Sequence, residues 1–303
     1  MSNNSNNISL HVNDTAMLLP MWELCISVPV LPLLICLYSA VLFTIINTKG
    51  PEYNNSFYTL LIGYGIADIG MLCFNIYSII YDVLRKDFLG GSIDSFLGFV
   101  LYWALGWYST QMFILIVTTN RFIAIVLNAH YSYFTVKLAR MLCIFTFVLS
   151  FVIVTPSYII LGFHYSPLFK VPFFTVEGDI FTRTFAYFAL FDEIFSYVVS
   201  FYVILAYVII SLYLIKFYKS FLSMNAGYKK EVIFFIQGVC FAIFLCFVNS
   251  VHWYLAPFSS SLNRIGNWIY TGLNPIIYLT LDGKLRRDFL RIFSTCKRNQ
   301  VSP

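Results

Sequence analysis

The chain has 303 residues, of which 59% are hydrophobic and only 11% are charged, and its formal net charge at pH 7 is +5. Its mean hydropathy of +0.78 lies far above that of a water-soluble domain, so the composition excludes an ordinary soluble protein and indicates an integral membrane protein. The apolar runs are long and continuous, which favours membrane helices over barrel strands, whose signature is alternation of apolar and polar residues.

Seven apolar runs approach or exceed the length of about 20 residues that crosses a membrane. They cover residues 22–46, 57–81, 96–127, 138–161, 185–217, 232–255 and 262–281. The count depends most on the fifth run, because it contains Asp192 and Glu193. The predicted fold is an all-α membrane protein: a tail over residues 1–21, a seven-transmembrane helix bundle over 22–281, and a short amphipathic interfacial helix within 282–303.

The positions of Lys and Arg predict the orientation of this bundle. With the N-terminus outside, 14 of the 19 Lys and Arg residues fall on the inner side, and the five on the outer side are Arg85, Lys86, Lys170, Arg183 and Arg264. Connections rich in Lys and Arg stay in the cytoplasm, so we expect a multi-pass protein with its N-terminus outside.

The N-terminal tail agrees with this orientation. It contains no Lys or Arg, and it carries three glycosylation sequons, at Asn3, Asn7 and Asn13, which can be modified only on the lumenal side. Three sequons can also be an accident of an Asn- and Ser-rich tail. No cleavable signal peptide is predicted, because the leader lacks a basic region and the first apolar run is long enough to span.

Two ionisable residues stand out in the second and third spans. Asp68 is the only acid deep in the second span, and an acid inside the membrane is a functional candidate by default. Arg121, in the run TTNRFIAIV, stands about one turn from the inner end of the third span, where it can reach the cytosol or a partner. The alternatives are a structural carboxyl hydrogen-bonded to a neighbouring Ser or Tyr, and an arginine that snorkels to the interface as an ordinary anchor.

The last span ends in the run NPIIY, from Asn274 to Tyr278, and turns directly into KLRRDFLRIF. Pro275 removes a backbone donor and predicts a place where the helix bends, unless the kink is static. The basic run is amphipathic and predicts a helix that lies in the interface and binds anionic lipid. Cys296 follows it and is a candidate for palmitoylation or an unmodified cytosolic thiol.

These two motifs resemble those of rhodopsin-like G-protein-coupled receptors. NPIIY stands where that superfamily carries Asn-Pro-x-x-Tyr, and NRF, from Asn120 to Phe122, stands where it carries Asp-Arg-Tyr. The form NRFIAI and the many Phe and Tyr residues are most similar to nematode serpentine chemoreceptors, of the Srx-like or a neighbouring group.

The resemblance implies roles for particular residues. Asn120, Arg121 and Phe122 with Asn274, Pro275 and Tyr278 would form the activation switch and the G-protein contact, and Asp68 with Asn274 would form a polar centre able to hold sodium. Asn120 replaces the usual acid, so the ionic hold on Arg121 in the resting state is missing. A possible ligand pocket would be lined by Trp103, Trp107, Tyr108, Asp192, Glu193, Phe247 and Arg264.

The details of this pocket rest on spacing. Trp103 and Trp107 are four residues apart and share one helical face, although tryptophans at this depth also serve in packing. We expect Arg264 to pair with Asp192, with Glu193 or with an acidic ligand group. Trp103 stands eighteen residues before Arg121, where amine receptors carry Asp, which disfavours a monoamine ligand. The sixth span lacks the usual Trp and Pro, which leaves its switch unassigned, with Phe247 as a candidate.

The resemblance also implies partners and location. A chemosensory receptor in the plasma membrane, including that of sensory-neuron cilia, would bind an extracellular small molecule or peptide, a heterotrimeric G protein and membrane lipid, but no nucleic acid. No cofactor and no enzymatic activity are expected, because the four His residues, at positions 11, 130, 164 and 252, are scattered. A ligand-gated channel or transporter is the alternative, although no internal repeat supports it.

Overall fold

The computed structural model of the chain describes residues 21–48, 53–84, 91–161, 164–166, 171–173, 179–222, 226–250 and 260–299. Its nine α-helices in this part are α1 (Met21–Asn47), α2 (Ser56–Leu84), α3 (Gly91–Gly98), α4 (Ser109–Ile125), α5 (Val136–Leu161), α6 (Asp179–Leu222), α7 (Ala226–Ser250), α8 (Ser260–Leu281) and α9 (Gly283–Asn299). A π-helix, Phe99–Tyr108, joins α3 to α4, and a short 3-10 helix, Asn128–Tyr133, follows α4.

Five of the described helices are long and apolar enough to cross a membrane. The candidate spans are Trp22–Asn47, Ser56–Ile80, Phe96–Ile125, Val136–Ile159 and Ala186–Lys216. In α7 the described apolar stretch, Phe235–Ser250, is shorter, and α8 is less apolar because it carries several polar side chains inside the bundle. The first five predicted spans therefore match apolar helices, and the sixth and seventh coincide with α7 and α8.

Hydroxyl groups inside these helices bond to their own backbone. Thr44 donates to the carbonyl of Ala40 at 2.8 Å, and Ser211 donates to that of Tyr207 at 2.7 Å, each one turn back along its helix. Such bonds satisfy a polar side chain without a partner from another helix, which suits a helix surrounded by hydrocarbon. Ser and Thr within the apolar runs are therefore compatible with lipid contact.

The helices pack into a closed bundle. Helix α2 packs against α1, the π-helix, α4, α5 and α8, while α4 lies inside and contacts α6 and α7 as well. Helix α8 packs against α7 and α1, which closes the ring. Large aromatic residues fill the interior, and the outward faces expose apolar side chains such as Ile144 and Phe201. A surface of this kind is stable only where lipid, rather than water, surrounds it.

Two elements lie outside the bundle. An antiparallel hairpin pairs β1 (His164–Ser166) with β2 (Val171–Phe173), so the all-α prediction missed a small sheet between α5 and α6. Helix α9 begins after Asp282, whose Oδ1 accepts hydrogen bonds of 3.0 Å from the backbone N–H groups of Lys284 and Leu285. An aspartate in this position caps a helix N-terminus, which explains why the chain ends α8 and starts a new helix here.

Candidate functional site

A polar centre joins three helices in the middle of the bundle. The Asp68 Oδ2 atom accepts one hydrogen bond of 2.6 Å from Tyr38 Oη in α1 and another of 2.6 Å from Asn274 Nδ2 in α8. All three side chains are buried. The expected contact between Asp68 and Asn274 is present, and so is the tyrosine partner that the structural alternative required.

The surroundings of this centre are aromatic. Tyr64 donates to Tyr270 at 3.1 Å between their hydroxyl oxygens, and the Tyr278 ring packs edge-on against Phe241 of α7 at a centroid distance of 5.7 Å. Within NPIIY, Asn274, Pro275 and Tyr278 are buried in the core, whereas Ile276 is exposed and Ile277 is half-buried. A bend at Pro275 would therefore move Tyr278 within the core.

The sodium ion implied by the resemblance has one suitable oxygen here. Asp68 Oδ1 is buried and accepts no hydrogen bond from the described residues. In that part of the chain no group of three or more His, Cys, Asp or Glu residues lies close enough to hold a metal. Asp68 could thus contribute a single carboxylate oxygen to a monovalent ion.

Arg121, near the C-terminal end of α4, points into the bundle. Only 1% of the residue is exposed, its Nη2 donates to Asn120 Oδ1 at 2.7 Å, and its guanidinium carbon lies 3.8 Å from the centre of the Phe57 ring. Asn120 Nδ2 in turn donates to Ser56 Oγ at 3.3 Å, while Phe122 is only partly buried. This burial contradicts the alternative of an arginine snorkelling to the interface.

The π-helix shapes the outer half of the third span. Its hydrogen bonds run from residue i to i+5, and this brings Trp103 against Tyr108 with ring centroids 6.2 Å apart. Gly106 lets the π-helix approach α2, because a Cβ atom there would lie 2.9 Å from Met71 Cε and 2.8 Å from the Leu101 carbonyl oxygen. The glycine and the wide helix together set the position of both tryptophans.

Both tryptophans contact α6. The Trp103 ring packs against Phe188 at 5.7 Å between centroids, and Trp107 Nε1 donates to Asp192 Oδ1 at 2.8 Å. Asp192 is buried, whereas Glu193 beside it is half-buried. The acid of the fifth predicted span is therefore a partner of Trp107.

The prediction that Arg264 pairs with Asp192 or Glu193 is wrong. Arg264 Nε lies 3.3 Å from Glu23 Oε1, and both side chains are almost fully buried. The reason is the order of the helices, since α8 packs directly against α1. Sequence reasoning missed Glu23 because it stands at the edge of the first apolar run, although it is the only acid in that run.

The sequence of most of the chain decides the family. Residues 34–285 match the family described as serpentine type 7TM GPCR chemoreceptor Srx. The chain belongs to this family. The prediction of an Srx-like chemoreceptor is confirmed, and the family is one of receptors rather than enzymes. No curated protein matches the chain.

One predicted pocket residue of this Srx chain points the wrong way. Phe247 is 51% exposed on the outside of α7, so it neither lines a pocket nor contacts the core. The inward position nearby belongs to Asn249, which accepts from Gln111 Nε2 at 3.2 Å and donates to Ser200 Oγ at 2.8 Å. Gln111 was not predicted, although a glutamine inside an apolar span is a signal that could have found it.

Among the described residues, the outer half of the Srx bundle contains a space of about the size of one water molecule. A cavity between α2, α4, α7 and α8 has room for about one water molecule, with about 10 Å³ open to it. Its polar wall includes Trp107, Gln111, Asn249 and Asn267. Of the predicted pocket residues, Trp107 lines this cavity and the other six do not.

The π-helix also invalidates the residue count that disfavoured a monoamine ligand. The count of eighteen residues between Trp103 and Arg121 assumed a regular α-helix with 3.6 residues per turn. Six of those residues lie in a π-helix, whose wider turns rotate Trp103 away from the assumed face. Residue counting across this segment does not locate a ligand-binding position.

Three predicted modification sites and one thiol fall outside the description. Asn3, Asn7 and Asn13 lie in the N-terminal segment that precedes residue 21. Cys296 belongs to α9, but its side chain is outside the described set. Glycosylation and palmitoylation stay predictions.

Proposed function

We propose that this chain is a chemosensory receptor of the plasma membrane that converts binding of an extracellular small molecule or peptide into activation of a cytoplasmic G protein. The observation that carries the proposal is the hydrogen bond between Asn274 and Asp68, directly beside Pro275. This contact lies at the centre of the bundle, next to the proline at which α8 can bend. Family membership supports a receptor, and this contact supports a moving part within it.

The membrane topology proposed with this function has seven spans and an outside N-terminus. Helices α7 and α8 pack into the same bundle as the five long apolar helices, which supports counting them as the sixth and seventh spans. The distribution of Lys and Arg supports the orientation. Helix α9 would lie in the inner interface, with its basic residues near anionic lipid.

Helix α8 connects the two ends of the proposed mechanism. It carries Arg264 in the outer half, Asn274 at the centre and Tyr278 towards the inner end. A ligand that separates the helices around Trp107 and Gln111 favours a different α8 conformation, which Pro275 makes accessible. Binding then shifts the population of a two-state bundle, and G protein tightens ligand binding in return.

The inner end provides the output. In the described conformation Arg121 is held by the Asn120 side chain and the Phe57 ring. An amide and an aromatic face hold a guanidinium less firmly than a carboxylate does. We therefore propose that Arg121 is released when the inner end opens, and that it then contacts the G protein.

Stimulation with a ligand panel tests this function. Cells would express the full chain with a promiscuous G protein, and the second messenger would be recorded after surface expression is confirmed. We expect a ligand-dependent signal that Tyr278→Phe weakens and Tyr278→Ala abolishes, since Tyr278 is buried in the core. Tyr187→Ala is the matched control, because Tyr187 is 73% exposed on α6.

Two results would contradict the proposal. Equal loss of signal in Tyr187→Ala and Tyr278→Ala would show that the signal does not depend on the α8 segment. A ligand-gated current in cells lacking G protein would move the assignment to a channel.

A further inference from the structure

A groove of about 780 Å³ opens on the outside of the bundle, between α1, α2 and α5. Its walls are mostly apolar and include Ile45, Ile62, Ile66, Ile144 and Phe147. This volume lies within the range of about 300–1,000 Å³ that ligand sites in proteins occupy. The groove is separate from the polar centre and from the small cavity near Gln111.

Polar groups gather at one end of this groove. Arg140 and Asn54 are exposed there, and the Arg140 guanidinium makes no hydrogen bond or ion pair with another described residue. Thr59, with its hydroxyl bonded to the Asn55 carbonyl at 3.0 Å, lies between them and the apolar wall. The groove therefore has an apolar body and a single cationic end.

The location determines what can fill the groove. Helices α1, α2 and α5 are all candidate membrane spans, so the space beside them is occupied by lipid rather than by water. The end with Arg140 is also the end with α9, because Tyr53 lines the groove and donates to Asp288 Oδ2 of α9 at 2.9 Å. In the proposed orientation this is the cytoplasmic leaflet, where anionic lipids concentrate.

We propose that this groove binds one anionic membrane lipid. Its acyl chain lies along the isoleucines of α1, α2 and α5, and its negatively charged headgroup is bound by Arg140, with Asn54 as an additional hydrogen-bond donor. Arginine is the side chain best suited to this task, because its planar fork binds phosphate or carboxylate oxygens in pairs. A zwitterionic lipid or a sterol fills the same volume but leaves the guanidinium without an anion.

Lipid retention by the full-length chain tests the charged end of the groove. The protein is purified in nanodiscs that contain phosphatidylcholine and phosphatidylserine with identical acyl chains, and the lipids that stay bound are counted by native mass spectrometry. We expect preferential retention of phosphatidylserine, and Arg140→Gln reduces that preference about tenfold, as loss of one charge-assisted hydrogen bond implies. Lys137→Gln is the matched control, since Lys137 is exposed one turn earlier and does not line the groove.

A second pair of variants tests the apolar body. Ile144→Trp fills the groove and abolishes retention, whereas Ile159→Trp, at another exposed position of α5 outside the groove, leaves retention unchanged. Equal effects of the two tryptophans would overturn the proposed position of the acyl chain. Both residues face outward, so neither substitution disturbs the core.

Three further outcomes would overturn the proposal. If Lys137→Gln lowered the preference for phosphatidylserine as much as Arg140→Gln does, surface charge in general would attract the lipid. If phosphatidylcholine and phosphatidylserine were retained equally, the groove would bind lipid without selecting for charge. Displacement of the lipid by inorganic phosphate would mean an anion site without an acyl chain. The measurement needs neither ligand nor G protein, so its failure is distinguishable from failure of the proposed function.

Discussion

Two buried arginines mark opposite halves of the bundle, and they are held in different ways. Arg264 is 2% exposed and forms an ion pair with Glu23 from another helix, while Arg121 is 1% exposed and binds the amide of its own neighbour Asn120. An ion pair inside apolar surroundings is hard to break, because separation leaves charges buried. A guanidinium that contacts an amide and an aromatic ring loses less free energy when it moves away.

The difference supports our proposal that Arg264 is a structural arginine and that Arg121 moves on activation. Arg264 links α8 to α1 through Glu23, at the contact that closes the ring of helices. Arg121 points inward in the conformation described, where it contacts Asn120 on α4 and Phe57 on α2. Substitutions at these two arginines, and at the polar centre between them, distinguish the two kinds of contact.

The largest effect is expected from Arg264→Met. Removal of one partner of a buried ion pair costs about 3–5 kcal/mol, because Glu23 stays buried without the guanidinium. Thermal unfolding of the purified chain measures this loss. The double variant Glu23→Met with Arg264→Met should recover most of the stability, and a double variant as unstable as the single one would show that the pair does not act as a unit.

Arg121→Met should separate signalling from stability. Ligand-driven G-protein activation should fall by up to about 150-fold, the upper end of ordinary coupling free energies, because the proposed contact with the G protein is lost. Surface expression should stay near the level of the original chain. Arg287→Met removes an exposed arginine from α9 and is the control, and an equal loss in both variants would assign the effect to general inner charge.

Asn120→Asp should give Arg121 a carboxylate partner, as Arg264 has in Glu23. A carboxylate in place of the amide strengthens the contact by about 1–2 kcal/mol, which stabilises the closed conformation. Basal signalling should fall roughly fivefold or more, with the ligand response shifted to higher concentration. Asn47→Asp adds the same charge at an exposed position of α1. Unchanged basal activity in Asn120→Asp would contradict a releasable Arg121.

The smallest effect is expected from Tyr38→Phe. The change removes one of the two hydrogen bonds to Asp68 Oδ2 and should lower the free energy of unfolding by about 1 kcal/mol. Thermal unfolding again provides the measurement, with Tyr187→Phe as the exposed control. A loss as large as that of Arg264→Met would show that the polar centre, rather than the outer ion pair, is the main fixed point.

The helices and the polar centre could be predicted from the long apolar runs and from the few polar residues inside them. The helical runs follow from the continuous hydrophobic stretches, and Asp68 had to find polar partners because an acid in hydrocarbon cannot stay unsatisfied. The resemblance named Asn274 as one of them. The helical runs and the need of Asp68 for polar partners can both be recognised from local sequence, without knowing how the helices pack.

The misses have a common physical origin in helix rotation and neighbour order. The π-helix at Phe99–Tyr108 changes the helical rotation of the outer third span, so counting residues from Arg121 with 3.6 residues per turn does not fix the position of Trp103. Phe247 and Asn249 are two residues apart and lie on nearly opposite faces of α7, so the rotation of the whole helix decides which of them faces inward. The Glu23–Arg264 pair depends on α1 being next to α8, which no local pattern contains.

The Glu23–Arg264 pair has a consequence for biosynthesis. Glu23 lies in α1, and its partner Arg264 lies far along the chain in α8. At about 5–20 residues per second, the ribosome needs roughly 10–50 s to translate the chain between them. Glu23 is therefore synthesised well before its matching cation exists. Formation of the pair marks the moment when the last helix has joined the first, and a chain truncated before α8 would retain an acidic first helix for the cell's quality control to detect.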